Sequence, residues 1–335
     1  MKALRFYGKR DVKLDEIAAP EHVPSHHARL QVLAAGICGS DIHNFRTGQW
    51  ISKLPVTPGH EFCGRITELG AEVSGFSVGQ RVVVDSRANC GECDYCVAGA
   101  GNLCRKMGFV GEVCDGGFAE QSVQPIQRLI PIPESVPDAV AALAEPLGVS
   151  LRVLTRLNAA PGAPVLVAGG GPIGGLAAIL MREIDSRPVY LIERNVARAS
   201  LLRDVCGVIP VPCESAAIRA AMGGQEPLYC IEATGNQTVL GQLIQAVGSG
   251  GRIALVGLSS GMASVNTNEI VEREIDLVGC SVFREEQRDA VALLERLTAK
   301  LLKVVAGPVA LDGILGVYQE AECGSSEKLK TIIVP

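Results

Sequence analysis

Four cysteines, Cys90, Cys93, Cys96 and Cys104, follow the spacing C-x2-C-x2-C-x7-C. Two-residue gaps let a loop turn successive thiolates inward, and a fourth from slightly further on closes a tetrahedron around a metal ion. Four protein ligands leave no open coordination position, so zinc held here would be structural. An iron–sulfur cluster also takes four thiolates, but the C-x3-C-P ending of a ferredoxin run is absent. Structural zinc is the expectation, with free thiols as the plain alternative.

A second set of ligand types lies upstream, in Gly36-Ile37-Cys38-Gly39-Ser40-Asp41-Ile42-His43 and Gly59-His60-Glu61. Cys38 and His60 are one soft and one borderline metal ligand, 22 positions apart, so only the fold can bring them together. No second histidine follows His60-Glu61 at the H-E-x-x-H interval, which excludes a zinc-protease helix. Taken singly, a buried cysteine or a hydrogen-bonded histidine is the simpler reading of either residue.

Gly169-Gly170-Gly171-Pro172-Ile173-Gly174 fits G-x-G-x-x-G. Glycine-rich chains produce this pattern by chance, but here an apolar strand pattern (165–167) precedes it and a helical pattern follows. A second strand pattern ends at Glu193, 19 residues after Gly174. In that context the glycines admit a pyrophosphate to the backbone, and the helix N-terminus supplies N–H donors. Glu193 can accept hydrogen bonds from both ribose hydroxyls and would repel a 2′-phosphate, which favours NAD over NADP. Arg194, next to it, could offset a phosphate charge.

The elements that must position these residues can be read from the whole chain of 335 residues, a length that accommodates about two domains. With 31 Lys+Arg against 36 Asp+Glu, the net charge is −5, which gives no electrostatic footprint for nucleic acid or an anionic membrane. Glycine is abundant (38) and aromatics are few (one Trp, five Tyr, seven Phe), which suits tight turns and aliphatic packing. The first residues, Met1-Lys2-Ala3-Leu4-Arg5, do not form a signal peptide, and the uncharged stretch 157–181 is broken by six glycines and three prolines. A cytoplasmic protein without disulfides is expected, in contact with neither membrane nor nucleic acid. Residues 1–150 read as a β-rich, barrel-like domain with short strands at 30–35, 62–69 and 81–84. From 151 to 288 strands (165–167, 189–192, 228–233, 252–256, 276–282) alternate with helices, the pattern of a doubly wound parallel sheet. An amphipathic helical pattern (285–300) and a strand at 330–334 follow, and the segment 289–335 is placed back against the first domain.

These motifs, in this order and over essentially the whole chain, resemble the zinc-dependent medium-chain alcohol dehydrogenase family. Within it the chain is most similar to the sorbitol and 2,3-butanediol dehydrogenase branch. There the stretch that carries a cysteine ligand in other members reads as it does here, Ala144-Glu145-Pro146-Leu147. The resemblance implies an α/β protein with a GroES-like β-rich catalytic domain and a Rossmann doubly wound parallel-sheet cofactor domain. It implies two zinc ions (Zn2+) per chain, the catalytic one on Cys38, His60 and Glu145, with Glu61 an exchangeable or outer partner. It gives Ser40, the cofactor ribose and His43 a proton relay, and Asp41 an orienting role. Gly169, Gly171, Pro172, Ile173 and Gly174 would hold the NAD pyrophosphate, Glu193 and Arg198 the ribose, and 232–235 a strand end beside the cofactor. Phe45, Arg46 and Trp50 fall where relatives line the substrate; Arg46 and Lys53 could bind an anionic substrate, although a solvated surface face is the favoured reading of both. The stretch Cys323-Gly324-Ser325-Ser326 departs from the Gly-Lys-rich ending of relatives. Homodimers or homotetramers paired through 276–282 are implied as well.

The expected activity is reversible hydride transfer from a secondary alcohol of a small polyol or vicinal diol to NAD. The rivals are a catalytically silent NAD-binding protein, or a zinc dehydrogenase for another alcohol, an aldehyde or thiol adduct, or a phosphorylated polyol.

Overall fold

Along the strand His27–Gly36 the residues Ala28, Leu30, Val32 and Ala34 are buried, the two-residue period of a strand with one face on a core. A computed structural model describes residues 1–259, 261–323 and 326–335. It divides into two units, Met1–Glu145 with Gln287–Pro335, and Pro146–Glu286. The boundary expected after residue 150 falls inside the helix Ala144–Leu157, whose uninterrupted helical run conceals it in the sequence. The division instead follows Glu145, and the second boundary follows Glu286 rather than residue 288.

In the first unit a seven-stranded sheet takes the order Val305–Ala310, Lys330–Val334, His27–Gly36, Glu61–Leu69, Arg81–Val84 and Leu129–Pro131, and Gln121–Pro125 pairs with His27–Gly36. Its core includes Leu4, Leu30, Phe62, Ile66, Phe118 and Tyr318. Burying each such side chain contributes about 1.5–3 kcal/mol. Gly36 pairs with Glu61 at the end of one ladder, so Cys38 and His60 leave the sheet at the same edge. The strand Lys330–Val334 adds on the other side, with Ile332 opposite Gly36. The residues after Cys38 form the helix Gly39–Thr47, closed by Gly48 at φ 68°. The side chain of Asp41 accepts the Cys38 N–H at 2.8 Å and so caps the helix from its third position.

The second unit is a six-stranded, all-parallel sheet in the order Ile209–Pro210, Val189–Ile192, Val165–Ala168, Tyr229–Glu232, Arg252–Leu255, Asp276–Gly279. In chain order that is 3-2-1-4-5-6, the doubly wound arrangement whose switch point lies between the first and fourth strands. Val165–Ala168 is buried throughout, as expected for a strand covered on both faces. The two-residue strand Ile209–Pro210 escaped sequence reading because it is short and exposed. The last strand stops at Gly279 rather than continuing to residue 282, and Val282 lies in the left-handed region at φ 39°. Among the described residues no helix is long and apolar enough to cross a membrane.

Candidate active site and metal centres

Cys38 precedes the helix Gly39–Thr47 and His60 precedes the strand Glu61–Leu69, and the ladder register draws them together. The ligand atoms of Cys38, His60 and Glu61 all lie within 4.8 Å of one another. Asp41 faces Nδ1 of His60, 3.8 Å away, which leaves Nε2 for a metal ion. Burial alone would depress the His60 imidazole, but the carboxylate of Asp41, with Cys38 and Glu145, holds it well above the ordinary histidine range. Negative charge therefore converges on this point, as a divalent cation requires.

Glu61 is claimed on its other side by Lys330, whose Nζ lies 2.7 Å from the carboxylate and donates to the Ile37 carbonyl at 3.0 Å. Gly36 has no space for a side chain there, since a Cβ would stand 2.5 Å from a Glu61 oxygen. Glu145, in the first turn of its helix, is buried nearby but falls outside the three-residue cluster. Its Oε1 accepts the Ser86 hydroxyl at 2.7 Å. Burial, reinforced by the Glu61 charge, pushes the Glu145 carboxyl up to about 7 despite His60, Ser86 and Lys330.

Ser40 and His43 stand three positions apart on one helix and so share a face. The Ser40 hydroxyl lies 3.5 Å from Nε2 of His60. His43 instead pairs through Nε2 with Gln49 Oε1 at 2.9 Å and stacks on Trp50, ring centroids 4.3 Å apart. Phe45, read in the sequence as a substrate-lining residue, packs edge-on against Tyr318 in the core. Lys53 reaches Asp115 at the surface, 3.6 Å away.

The sulfurs of Cys90, Cys93, Cys96 and Cys104 also lie within 4.8 Å of one another. Backbone N–H groups of Arg105 and Cys96 lower the Cys93 thiol to about 6, and those of Cys90 and Lys106 lower Cys104. Pre-aimed N–H donors of this kind stabilise the thiolates that a metal ion needs. Cys63, Cys114, Cys206, Cys213, Cys230 and Cys280 join neither cluster and form no disulfide. The unusual tail stretch includes Gly324 and Ser325, which lie outside the described residues.

In the second unit Gly169 ends the first strand at φ 98°, where a Cβ would meet Thr234 at 2.9 Å. Gly171 caps the helix Pro172–Ile184 with Pro172 in its first turn, and a Cβ on Gly171 would enter open space. At Gly174 a Cβ would lie 1.9 Å from the Gly169 carbonyl, so only glycine permits this packing. Ile173 lies in the first turn of the same helix, and its carbonyl accepts the Ser150 hydroxyl at 3.1 Å. Glu193 accepts the Gly170 N–H at 2.8 Å and the Asn195 N–H at 2.7 Å, with Arg198 3.4 Å away. Glu232 closes the neighbouring strand end by accepting the N–H groups of Thr234 and Gly235.

Residues 24–134 match the alcohol dehydrogenase GroES-like domain family, and residues 172–297 match the zinc-binding dehydrogenase family. An L-threonine 3-dehydrogenase from Anaeromyxobacter sp. (strain K) is 33% identical over 271 residues, 79% of this chain and 78% of that protein. The chain belongs to the zinc-dependent medium-chain alcohol dehydrogenases. Among solved structures, this dehydrogenase is similar to one described as a short chain alcohol dehydrogenase from E. coli CFT073 complexed with NADH. The two share 26% identity over 100% of this chain and 99% of that one, with a TM-score of 0.91. The 2R,3R-butanediol dehydrogenase of Bacillus subtilis is 27% identical over the same shares, with a TM-score of 0.90. The protein is thus an enzyme that acts on alcohol CH–OH groups with a nicotinamide cofactor, NAD or NADP.

The residues of the dehydrogenase suit these groups. Four thiols meet at one site, and a thiol, an imidazole and a carboxylate at the other, both zinc-binding donor sets. The glycine turn leaves room at Gly171, at a helix N-terminus, for a phosphate. Ser86, Lys330 and Glu112 went unread in the sequence. Lys330 heads the final strand, ahead of its apolar run Ile332-Ile333-Val334, and nothing local marked it, Ser86 or Glu112.

Proposed function

We propose that the enzyme oxidises, reversibly, a secondary alcohol of a small polyol or vicinal diol with NAD, and holds one catalytic and one structural zinc per chain. The observation that carries this reading is the convergence of Cys38, His60 and Glu61 within 4.8 Å, with Glu145 buried beside them. Zinc bound there lowers the pKa of an alcohol and polarises a carbonyl. Cys38 and His60 hold the ion, and the carboxylates of Glu145 and Glu61 complete or exchange in its shell. Asp41 fixes the ring of His60 and the Cys38 loop together. The Ser40 hydroxyl, able to accept and donate at once, takes the substrate proton, and His43 on the same helix face passes it to water. Gly169 to Gly174 and the N-terminus of helix Pro172–Ile184 receive the pyrophosphate, and Glu193 reads the ribose hydroxyls with Arg198 beside it. A homodimer or homotetramer built on the edge strand Asp276–Gly279 belongs to the same reading.

The similar proteins named for threonine and 2R,3R-butanediol support a small substrate. A panel of polyols, vicinal diols and their phosphates, supplied with NAD and NADP and followed by nicotinamide absorbance, tests the proposal. Turnover of a diol or polyol with NAD, lost in Cys38→Ser, is expected. Turnover that survives Cys38→Ser, or that occurs only with phosphorylated substrates, overturns it.

A further inference from the structure

His43, the last member of the relay described above, is held from two sides. Its Nε2 meets Gln49 Oε1 at 2.9 Å, and Trp50 stacks on the ring with centroids 4.3 Å apart and planes 27° off parallel. Both partners follow Gly48, whose φ of 68° closes the helix Gly39–Thr47 and turns the chain back. Side chains of that helix then fasten the returning segment. The Thr47 hydroxyl accepts the Gln49 N–H at 3.1 Å and donates to the His43 carbonyl at 2.8 Å. Asn44 Oδ1 accepts the Trp50 N–H at 3.2 Å, and its Nδ2 donates to Glu112 Oε1 at 2.9 Å. Asn44 is buried between a carboxylate, which accepts, and an N–H, which donates, so its amide has one orientation. The imidazole thus meets Gln49 within a tied frame, not as a free surface side chain.

The bond at Nε2 decides what the other ring nitrogen can do. A neutral imidazole carries one N–H and one lone pair, and the hydrogen goes where an acceptor waits. An amide oxygen only accepts, so opposite Gln49 Oε1 the hydrogen belongs on Nε2 and Nδ1 keeps its lone pair. The same amide turned over would donate to Nε2 and put the hydrogen on Nδ1. That arrangement leaves neither nitrogen free to take a proton, whereas the arrangement in this structure leaves Nδ1.

We propose that Gln49 is a positioning residue for His43: its amide oxygen holds the hydrogen on Nε2 and leaves Nδ1 as the proton acceptor of the ring. This rests on the relay reading of His43 and deepens it. The proton released through Ser40 arrives at Nδ1, the imidazolium keeps its Nε2–H on Gln49, and Nδ1 returns the proton to water. The test is nitrogen NMR of the imidazole-labelled, zinc-loaded enzyme; the chain has five histidines, and His43→Gln identifies the signals of this one. Above the titration of the ring, His43 should show the Nε2–H tautomer. Gln49→Leu should move the tautomer ratio about threefold or more toward Nδ1–H, the range of one lost hydrogen bond. Gln49→Glu, whose carboxylate can only accept, should restore the wild-type ratio. With an alcohol that turns over, kcat should fall by a similar factor in Gln49→Leu with KM held, and recover in Gln49→Glu. An Nδ1–H ring in the wild type, a reversed tautomer in Gln49→Glu, or an unchanged ratio in Gln49→Leu overturns the role of Gln49. If the ratio follows Gln49 but turnover responds to neither Gln49→Leu nor His43→Gln, the relay reading fails and the tautomer assignment stands.

Discussion

Lys330 and Glu61 are 269 positions apart, yet their charged groups lie 2.7 Å from each other with both side chains 1% exposed. The ammonium replaces, on one side of Glu61, the cation that the Cys38–His60 cluster calls for on the other. Removing one member of a buried pair strands the other, at about 3–5 kcal/mol. Lys330→Met should therefore lower the free energy of unfolding by about that amount in urea titrations. Glu61→Gln combined with Lys330→Met should recover most of the loss. A single variant as stable as the wild type would mean that another group compensates the charge left behind.

Glu145 and His60 together set a pH dependence. Burial raises the Glu145 carboxyl from 4.5 to about 7 in the metal-free protein, so its contribution is full below 4.5 and is lost as pH rises through about 7. His60, held above 6.5 by Asp41 and Cys38 against its burial, has the same sign: its contribution is complete below 6.5 and lost on further alkalinisation. Thermal midpoints of the metal-free protein should fall between pH 5 and pH 8, and less steeply in Glu145→Gln. A midpoint that rises over that range contradicts the assignment.

The two metal clusters should be separable by metal analysis. The intact enzyme is expected to hold two zinc ions per chain. Cys38→Ser and Cys96→Ser should each retain one, for different reasons and with different consequences. Loss at Cys38 removes turnover and leaves the fold. Loss at Cys96 opens a structural site and should lower the thermal midpoint by about 5 °C or more. A single zinc in the wild type sinks the open-site assignment.

At the glycine turn, the N–H groups of Gly170 and Asn195 fix the carboxylate of Glu193, the residue proposed above to read the ribose hydroxyls. Glu193→Ala should reduce the ratio of kcat/KM for NAD to that for NADP by about tenfold. An unchanged ratio would assign selectivity elsewhere, first to Arg194.

Much of this was legible where chemistry is local in the chain. The C-x2-C-x2-C-x7-C run must close on itself because its ligands are too near in sequence to separate. The glycine turn, strand and acid declare a doubly wound sheet through periodicity and backbone demands. Boundaries were less clear, since the helix Ala144–Leu157 runs across one, and neither Pro146 nor Gly148 interrupts it. The two-residue strand Ile209–Pro210 has no buried run to announce it.

The residues alone therefore determined which ligand types and glycines the protein possesses, and hence its family and class of reaction. Tertiary structure decided what surrounds them. The pairing of Gly36 with Glu61 brings Cys38 to His60, and the return of the last strand brings Lys330 to Glu61. Ser86 meets Glu145 across 59 positions, and Glu112 meets Asn44 across 68. Each is a contact between groups whose charges and hydrogen bonds gain strength only in a shared, water-poor interior. No local pattern in a chain encodes which distant segment will close that interior.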